Sequence, residues 1–275
     1  MEVAVSSEHS PTVIKLGGSV LTGLVAYEHA ATYLETRIET DRQPLLVVVS
    51  AELGHTDTLQ EEARTLSRQP SRAALDLLWS TGELRSVALL TLALDARGVP
   101  VAGLNVHESG LRAAAHHLHL NPIAIRAALD HHDIVVVPGF LATSEERLVT
   151  LGRGGSDLSA VMLAVWLEAD RCELVKDVDG YFATDPNLDR QASLIPALDF
   201  DTALRMADAG CPLVQRQAVA AARDAGLTLV VKSLTSEGTT LRPVRSHDFP
   251  SLQPFDSQGD HCGLCDTYDP CAPTV

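Results

Sequence analysis

Six apolar runs of strand length, separated by stretches of helical periodicity, constrain the fold of this chain more than any other feature of its sequence. The runs are Thr12 to Leu16, Leu45 to Ser50, Val99 to Gly103, Asp133 to Val137, Arg171 to Val175 and Leu227 to Lys232. Their apolar character is continuous rather than alternating, as expected of strands covered on both faces. Between them lie helical patterns at Tyr27 to Ile38, Thr58 to Ser67, Arg72 to Arg97, Pro122 to His131, Ser156 to Glu168, Asp199 to Ala209 and Gln215 to Ala225. This alternation predicts an α/β fold with a largely parallel sheet and helices on both sides. Ligands of such sheets bind beyond the carboxyl ends of the strands. A hairpin-like S-E-E-R turn ahead of Val149 and Thr150 marks a candidate boundary between two halves, about 12–150 and 151–245, and residues 246–275 read as a Cys-containing tail.

A chain of 275 residues with 45% hydrophobic and 4% aromatic content can bury a substantial core, as one large domain or two merged lobes. Its formal net charge of -15 argues against a nucleic-acid or anionic-membrane partner and points to a small ligand. The opening M-E-V-A-V-S-S-E-H-S lacks the cationic start and apolar core of a secretory signal. No uninterrupted apolar run approaches the roughly 20 residues that span a bilayer, so a cytoplasmic location is the expectation. The five cysteines are too uneven for a disulfide framework. His261, Cys262, Cys265 and Cys271 offer one C-x-x-C step for a zinc knot, but a loosely ordered tail is the simpler reading and no metal site is assigned. Only three lysines, Lys15, Lys176 and Lys232, stand against 18 arginines, each at or near the end of a strand-like run, where a compact ammonium can meet phosphate.

Two segments concentrate chemistry at strand ends. In V-I-K-L-G-G-S, Lys15 precedes Gly17, Gly18 and Ser19, a phosphate-handling arrangement that is neither a P-loop nor a Rossmann fingerprint. In T-L-G-R-G-G-S-D, Leu148 to Thr150 ends a strand, Gly152, Gly154 and Gly155 allow close backbone approach, and Ser156 and Asp157 are expected to cap the helix that follows. Backbone N–H groups at a helix start attract anions. Arg153 can grip a carboxylate or phosphate with two prongs, and Asp157 can orient an ammonium or a metal-bound water. Elsewhere, V-V-V-S-A-E-L-G-H-T-D carries Ser50 and Thr56, W-S-T-G-E-L-R-S carries Glu83, and K-D-V-D-G-Y-F-A-T-D-P places Asp177 and Asp179 in a polar turn that can meet a ribose hydroxyl or Mg²⁺ waters. Taken singly, each of these reads equally well as a structural turn or cap.

In the order K-L-G-G-S, V-S-A, G-E-x-x-S, P-G-F, L-G-R-G-G-S-D, D-V-D-G-x-x-x-T-D-P, these pieces resemble the amino acid kinase family, most closely aspartokinase catalytic domains, over roughly Val13 to Leu241. The resemblance implies a three-layer α/β/α sandwich with an amino-acid site in the N-terminal half and an ATP-Mg²⁺ site in the C-terminal half. It implies catalytic roles for Lys15 and Asp157, with Gly17, Gly18 and Ser19 as the phosphate loop. Ser50, Thr56, Glu83 and Arg153, beside Gly154, Gly155 and Ser156, would hold the amino acid: Arg153 takes a carboxylate and Glu83 places the ammonium. Asp177, Asp179, Tyr181 and Asp185 would lie near the nucleotide, with Asp185 contacting the ribose. The activity implied is ATP-dependent phosphorylation of the side-chain carboxylate of aspartate or a close analogue. The alternatives are a non-catalytic binding, regulatory or oxyanion-storage protein of the same fold, or a kinase of another small acid. A homo-oligomer, at least a dimer, is also implied.

The resemblance strains at two places. The family's second phosphate-side lysine belongs in the segment G-C-P-L-V-Q-R-Q-A, aligned with Pro212 in the aspartokinase pattern or Gln215 in the acetylglutamate kinase pattern, and no lysine is there. Losing such a cation costs about 10³-fold in rate. Lys176 is the better replacement and Arg216 the other. Glu52 and His55 also add polarity that the pattern does not explain. The chain ends before the small regulatory domains that follow aspartokinase catalytic parts, so escape from end-product feedback is an expectation.

Overall fold

The computed structural model describes residues 10–114, 117–152, 154–184, 186, 189, 191–209 and 213–243. Along the chain the strands are β1 (Thr12–Leu16), β2 (Leu45–Val49), β3 (Val101–Gly103), β4 (Leu111–Ala114), β5 (His117–Leu120), β6 (Ile134–Pro138), β7 (Leu141–Ser144), β8 (Arg147–Thr150), β9 (Arg171–Val175), β10 (Ala197–Asp199), β11 (Thr228–Lys232) and β12 (Thr239–Arg242). The helices are α1 (Leu24–Asp41), α2 (His55–Leu66), α3 (Arg72–Asp95), α4 (Ile123–Leu129), α5 (Gly155–Trp166), α6 (Phe200–Asp208) and α7 (Arg216–Ala225). All six apolar runs are strands, and the seven helical patterns are helices with shifted ends.

Eight strands form one sheet in the order β10-β12-β11-β9-β1-β2-β6-β3, parallel except for the β11–β12 pair. Strands from both sequence halves meet at the β1–β9 pair, so the sheet is continuous across the boundary expected near residue 150. Its central strands are mainly apolar because helices cover both faces, and the charged exceptions are Lys15 in β1 and Arg171 and Glu173 in β9. Val13, Leu46, Val48, Val135 and Val137 pack with residues of α5 and α7. Ile14, Leu16, Leu45, Val47 and Val49 pack with residues of α1 and α3. These side chains have no exposed surface, and each contributes about 1.5–3 kcal/mol of hydrophobic burial. The result is the expected three-layer sandwich.

Sequence periodicity gave no sign of a second, four-stranded sheet, β5-β4-β7-β8, whose short strands interrupt the helix–strand alternation. The S-E-E-R turn closes its β7–β8 hairpin, with Glu145 and Glu146 both at positive φ, 47° and 64°, the hand that two-residue hairpin turns need. From Thr150 the chain passes directly into the glycine-rich loop and α5. Helix α3 is by length and composition long enough to cross a membrane. It packs instead on the sheet and turns Asp76, Ser80, Glu83 and Ser86 inward.

Candidate active site

Strand periodicity delivers the first cation. Side chains alternate across β1, so Val13 and Lys15 face α5 while Ile14 and Leu16 face α1. Lys15 is 5% exposed and sits opposite Val48 of β2 and Leu174 of β9. Its Nζ lies 2.9 Å from Asp157 Oδ1. Lys176, one residue beyond β9, puts its Nζ 3.0 Å from Asp157 Oδ2. Two ammonium groups thus share one carboxylate that is 4% exposed. Burial pushes the Asp157 carboxyl up, but the charges of Lys15 and Lys176 outweigh it and hold the group well below the usual carboxylate range. Burial also lowers the Lys176 ammonium, opposed by Asp157.

The cap of α5 differs from the sequence expectation. Gly154, in the left-handed region at φ 72°, is the N-cap, and Ser156 and Asp157 lie within the first turn. A Cβ at Gly154 would stand 2.9 Å from Gln215 Cγ as well as in a strained backbone region. With no side chain capping the helix, Asp157 is left to the lysines, Ser156 Oγ accepts from Ser50 Oγ at 3.0 Å, and the positive end of the α5 dipole points at the same centre.

Gly17 N donates to Val175 O at 2.9 Å, tying the Gly17–Ser19 loop to the end of β9. Gly18 cannot carry a side chain, since a Cβ would overlap the Ala51 carbonyl oxygen. Ser19 lies in the 3-10 turn Gly18–Leu21. Thr56 is in the first turn of α2, behind the left-handed N-cap Gly54. Glu83 is buried at 3% exposure. Burial pushes its carboxyl up to about 8, opposed by the Ala51 backbone and the charge of Lys15, and among the described residues its Oε2 has no hydrogen-bond partner. A buried acceptor without a donor is costly, and an arriving ammonium would satisfy it.

The other assigned residues divide. Asp177 and Asp179 are exposed in the turn after β9, and Asp179 Oδ1 accepts from Ser233 Oγ. Tyr181 is 2% exposed within the core that also holds Leu198 and Phe200, so its ring offers a nucleotide almost no surface. Arg216 is not at the centre. Its side chain is 59% exposed and pairs with Asp208 at 2.7 Å, whereas Lys176 stands on Asp157. Arg153, Asp185, Pro212 and the Cys262, Cys265 and Cys271 tail with His261 lie outside the described residues.

Two contributors were not assigned from sequence. Gln215 N approaches Asp157 Oδ2 at 3.5 Å, so the lysine-free segment still reaches the centre. Asp76, 3% exposed, accepts from Thr150 Oγ1 at 2.7 Å and from Arg72 Nε at 2.9 Å, clamping the base of the glycine-rich loop. Its position seven residues before Glu83, two helical turns away on one face, was the available signal. No group of three or more His, Cys, Asp or Glu residues that could hold a metal ion occurs among the described residues.

Comparison with known proteins follows the same lines. An aspartokinase of Thermus thermophilus is 40% identical over 209 residues, 73% of this chain and 51% of that protein. One of Geobacillus stearothermophilus is 34% identical over 227 residues, 80% of this chain and 56% of that protein. The chain therefore spans about half the length of these relatives. Among solved structures, aspartate kinase from Synechocystis superposes with a TM-score of 0.78 at 34% identity, covering 85% of this chain and 40% of that one. Escherichia coli aspartokinase III, solved with aspartate and ADP, shares the fold at a TM-score of 0.72 and 23% identity, over 86% of this chain and 65% of that one. The sequence profile of the amino acid kinase family matches residues 10–233, and the chain belongs to that family.

Proposed function

We propose that this protein transfers the γ-phosphoryl group of ATP to the side-chain carboxylate of aspartate or a close analogue, giving an acyl phosphate and ADP. The observation that carries this reading is the Lys15–Asp157–Lys176 centre. Two cations and one anion meet in a nearly dry place, beside a glycine loop and an uncapped helix start, so positive charge is in excess among these three groups. Buried charge without a partner is costly, and a phosphoryl group supplies the partner.

The chemistry asks for placement more than for acid–base work. A side-chain carboxylate of pKa about 4 is already ionised at neutral pH, so it attacks without a general base. Its oxygen bonds to the γ-phosphorus as the bond from that phosphorus to the β–γ bridging oxygen breaks, and ADP leaves. Lys15 and Lys176 spread the charge of the transferring group. Ser50, Thr56, Arg153 and Ser156 hold the acceptor, and Glu83 takes its ammonium. Asp177, Asp179 and Asp185 flank the nucleotide. Mg²⁺ would arrive on the phosphates and neutralise part of their charge. The donor set fits that mode, because magnesium sites of this kind use one or two carboxylates together with phosphate oxygens rather than a protein cage. The reading extends to a cytoplasmic enzyme of at least two identical chains, on the strength of the family likeness.

The test is hydroxamate trapping with ATP, Mg²⁺ and a panel of amino acids, comparing native protein with Lys15→Ala and Arg153→Ala. Aspartyl hydroxamate from the native protein alone is the expected result. No ADP formation with any acid would leave a binding protein of the same fold. Turnover surviving Arg153→Ala would remove that residue from the acceptor clamp.

A further inference from the structure

Glu52 belongs neither to the phosphate centre nor to the acceptor anchors, yet two other segments, α3 and the start of α1, meet on its side chain. Its Oε1 pairs with Arg85 Nη1 of α3. Its Oε2 accepts from Gly23 N, just before α1, at 3.3 Å. It lies two residues after Ser50 and four before Thr56. We propose that Glu52, held by Arg85 and the Gly23 backbone, is a positioning residue that fixes the β2–α2 loop against the phosphate loop and α3. It thereby sets the distance between acceptor and phosphoryl donor.

The surrounding contacts transmit such a tie without slack. Leu53 N donates to Gly18 O at 3.1 Å, and His55 N donates to Glu52 O at 3.0 Å. A Cβ at Gly82 would stand 2.8 Å from His55 Cδ2 and 3.0 Å from Ala51 Cβ, so the loop lies directly on α3 beside Glu83. Beneath it, Tyr27 of α1 and Ser86 of α3 share a buried hydrogen bond of 3.0 Å. The ion pair itself is partly wet, with side-chain exposures of 46% for Arg85 and 18% for Glu52. Pairs this exposed add little to stability, so the effect of this one falls on geometry. Misplacing a substrate loop by a fraction of an ångström acts directly on reaction rate.

The inference rests on the kinase reading for what the loops carry, and its test separates the two. Steady-state kinetics with aspartate and ATP are measured for native protein, Glu52→Gln, Arg85→Ala and Arg85→Lys, together with amide hydrogen exchange of residues 50–56 in the absence of ligand. Glu52→Gln and Arg85→Ala are expected to lower kcat and raise KM for aspartate, together costing about tenfold in kcat/KM, while KM for ATP changes less than about twofold. Exchange in the loop should quicken in both, and Arg85→Lys should restore most of the loss. Unchanged KM and exchange overturn the proposal, as does an equal fall in every kinetic constant accompanied by a lower melting temperature. If native protein turns over no aspartate, the kinase reading fails, and loop exchange still decides whether Glu52 makes the tie.

Discussion

Two buried ion networks sit on neighbouring strands of the same sheet and differ in how they are balanced. On the α1 side, Glu173 of β9, 3% exposed, receives Arg37 on both oxygens at 2.6 and 2.9 Å and Arg171 at 2.9 Å. Asp41 takes the other face of Arg37 at 2.7 Å, and Tyr33 bridges Arg37 and Glu173. Two anions meet two arginines, Arg37 gripping Glu173 with two prongs and Arg171 reaching it through Nε, with the charge of Lys232 also acting on Glu173. On the α5 side, one aspartate faces two lysines, flexible point charges that can turn toward a ligand. The balanced network locks α1 to the sheet. The other holds two ammonium groups on one carboxylate, and the proposed phosphate role rests on that excess of cations within the trio.

Removing a cation from the unbalanced centre tests the distinction most severely. Lys15→Ala should lower kcat/KM for acyl phosphate formation about 10³-fold, with the far-ultraviolet circular dichroism of the native fold retained. The balanced network should respond in the opposite sense. Glu173→Gln leaves two arginines short of their partner and should cost about 3 kcal/mol in urea unfolding, while kcat per folded molecule stays within about twofold. If Glu173→Gln instead abolished turnover of folded protein, the division into structural and catalytic networks would fall.

Lys176→Ala is expected to lose about 10²-fold in kcat. Arg216→Ala, at an exposed pair, should lose less than about threefold. A reversal of that order would return the replacement role to Arg216.

Glu83 sharpens the comparison through pH. Folded, it keeps its proton up to about 8, against 4.5 for an exposed glutamate. Between these values the unfolded chain binds fewer protons than the folded one, so stability falls as pH rises. Glu83→Gln should therefore raise unfolding free energy at pH 8 by about 1–2 kcal/mol and still weaken aspartate binding. In native protein, KM for aspartate should fall as pH rises toward about 8, because the carboxyl must ionise to accept an ammonium. A KM independent of pH would separate Glu83 from the substrate amine.

Much of this was legible from residues. Apolar runs with no polar interruption mark doubly covered strands because water never reaches either face, and that property is local to each run. Lys15 with its two glycines, and the T-L-G-R-G-G-S-D segment, were legible because glycine marks positions where the backbone passes close to other groups, here the Ala51 carbonyl at Gly18 and the Gln215 side chain at Gly154. Legibility failed wherever partners are distant in sequence. The second sheet is built from four-residue strands, too short for a period to declare itself. The α5 cap was misplaced by two residues because Ser156 and Asp157 are good caps in isolation, while long-range partners, Ser50 and the two lysines, claim their side chains here. Tyr181 read as a turn residue of the nucleotide side and is core, since its backbone is tied to Thr239 and Ile195 and its side chain joins the cluster of Leu198 and Phe200.

The sequence alone determined a doubly covered parallel sheet and the two glycine-bearing segments at its strand ends, because periodicity, glycine and charge act within a few residues. Tertiary structure decided which charges meet. Lys15 and Asp157 are 142 positions apart, and only the packing of α5 against β1 brings them to 2.9 Å. Whether a lysine is a solvated surface charge or half of a phosphate site depends on that contact, since an electrostatic interaction gains its strength from a dry environment that no short stretch of sequence can create by itself.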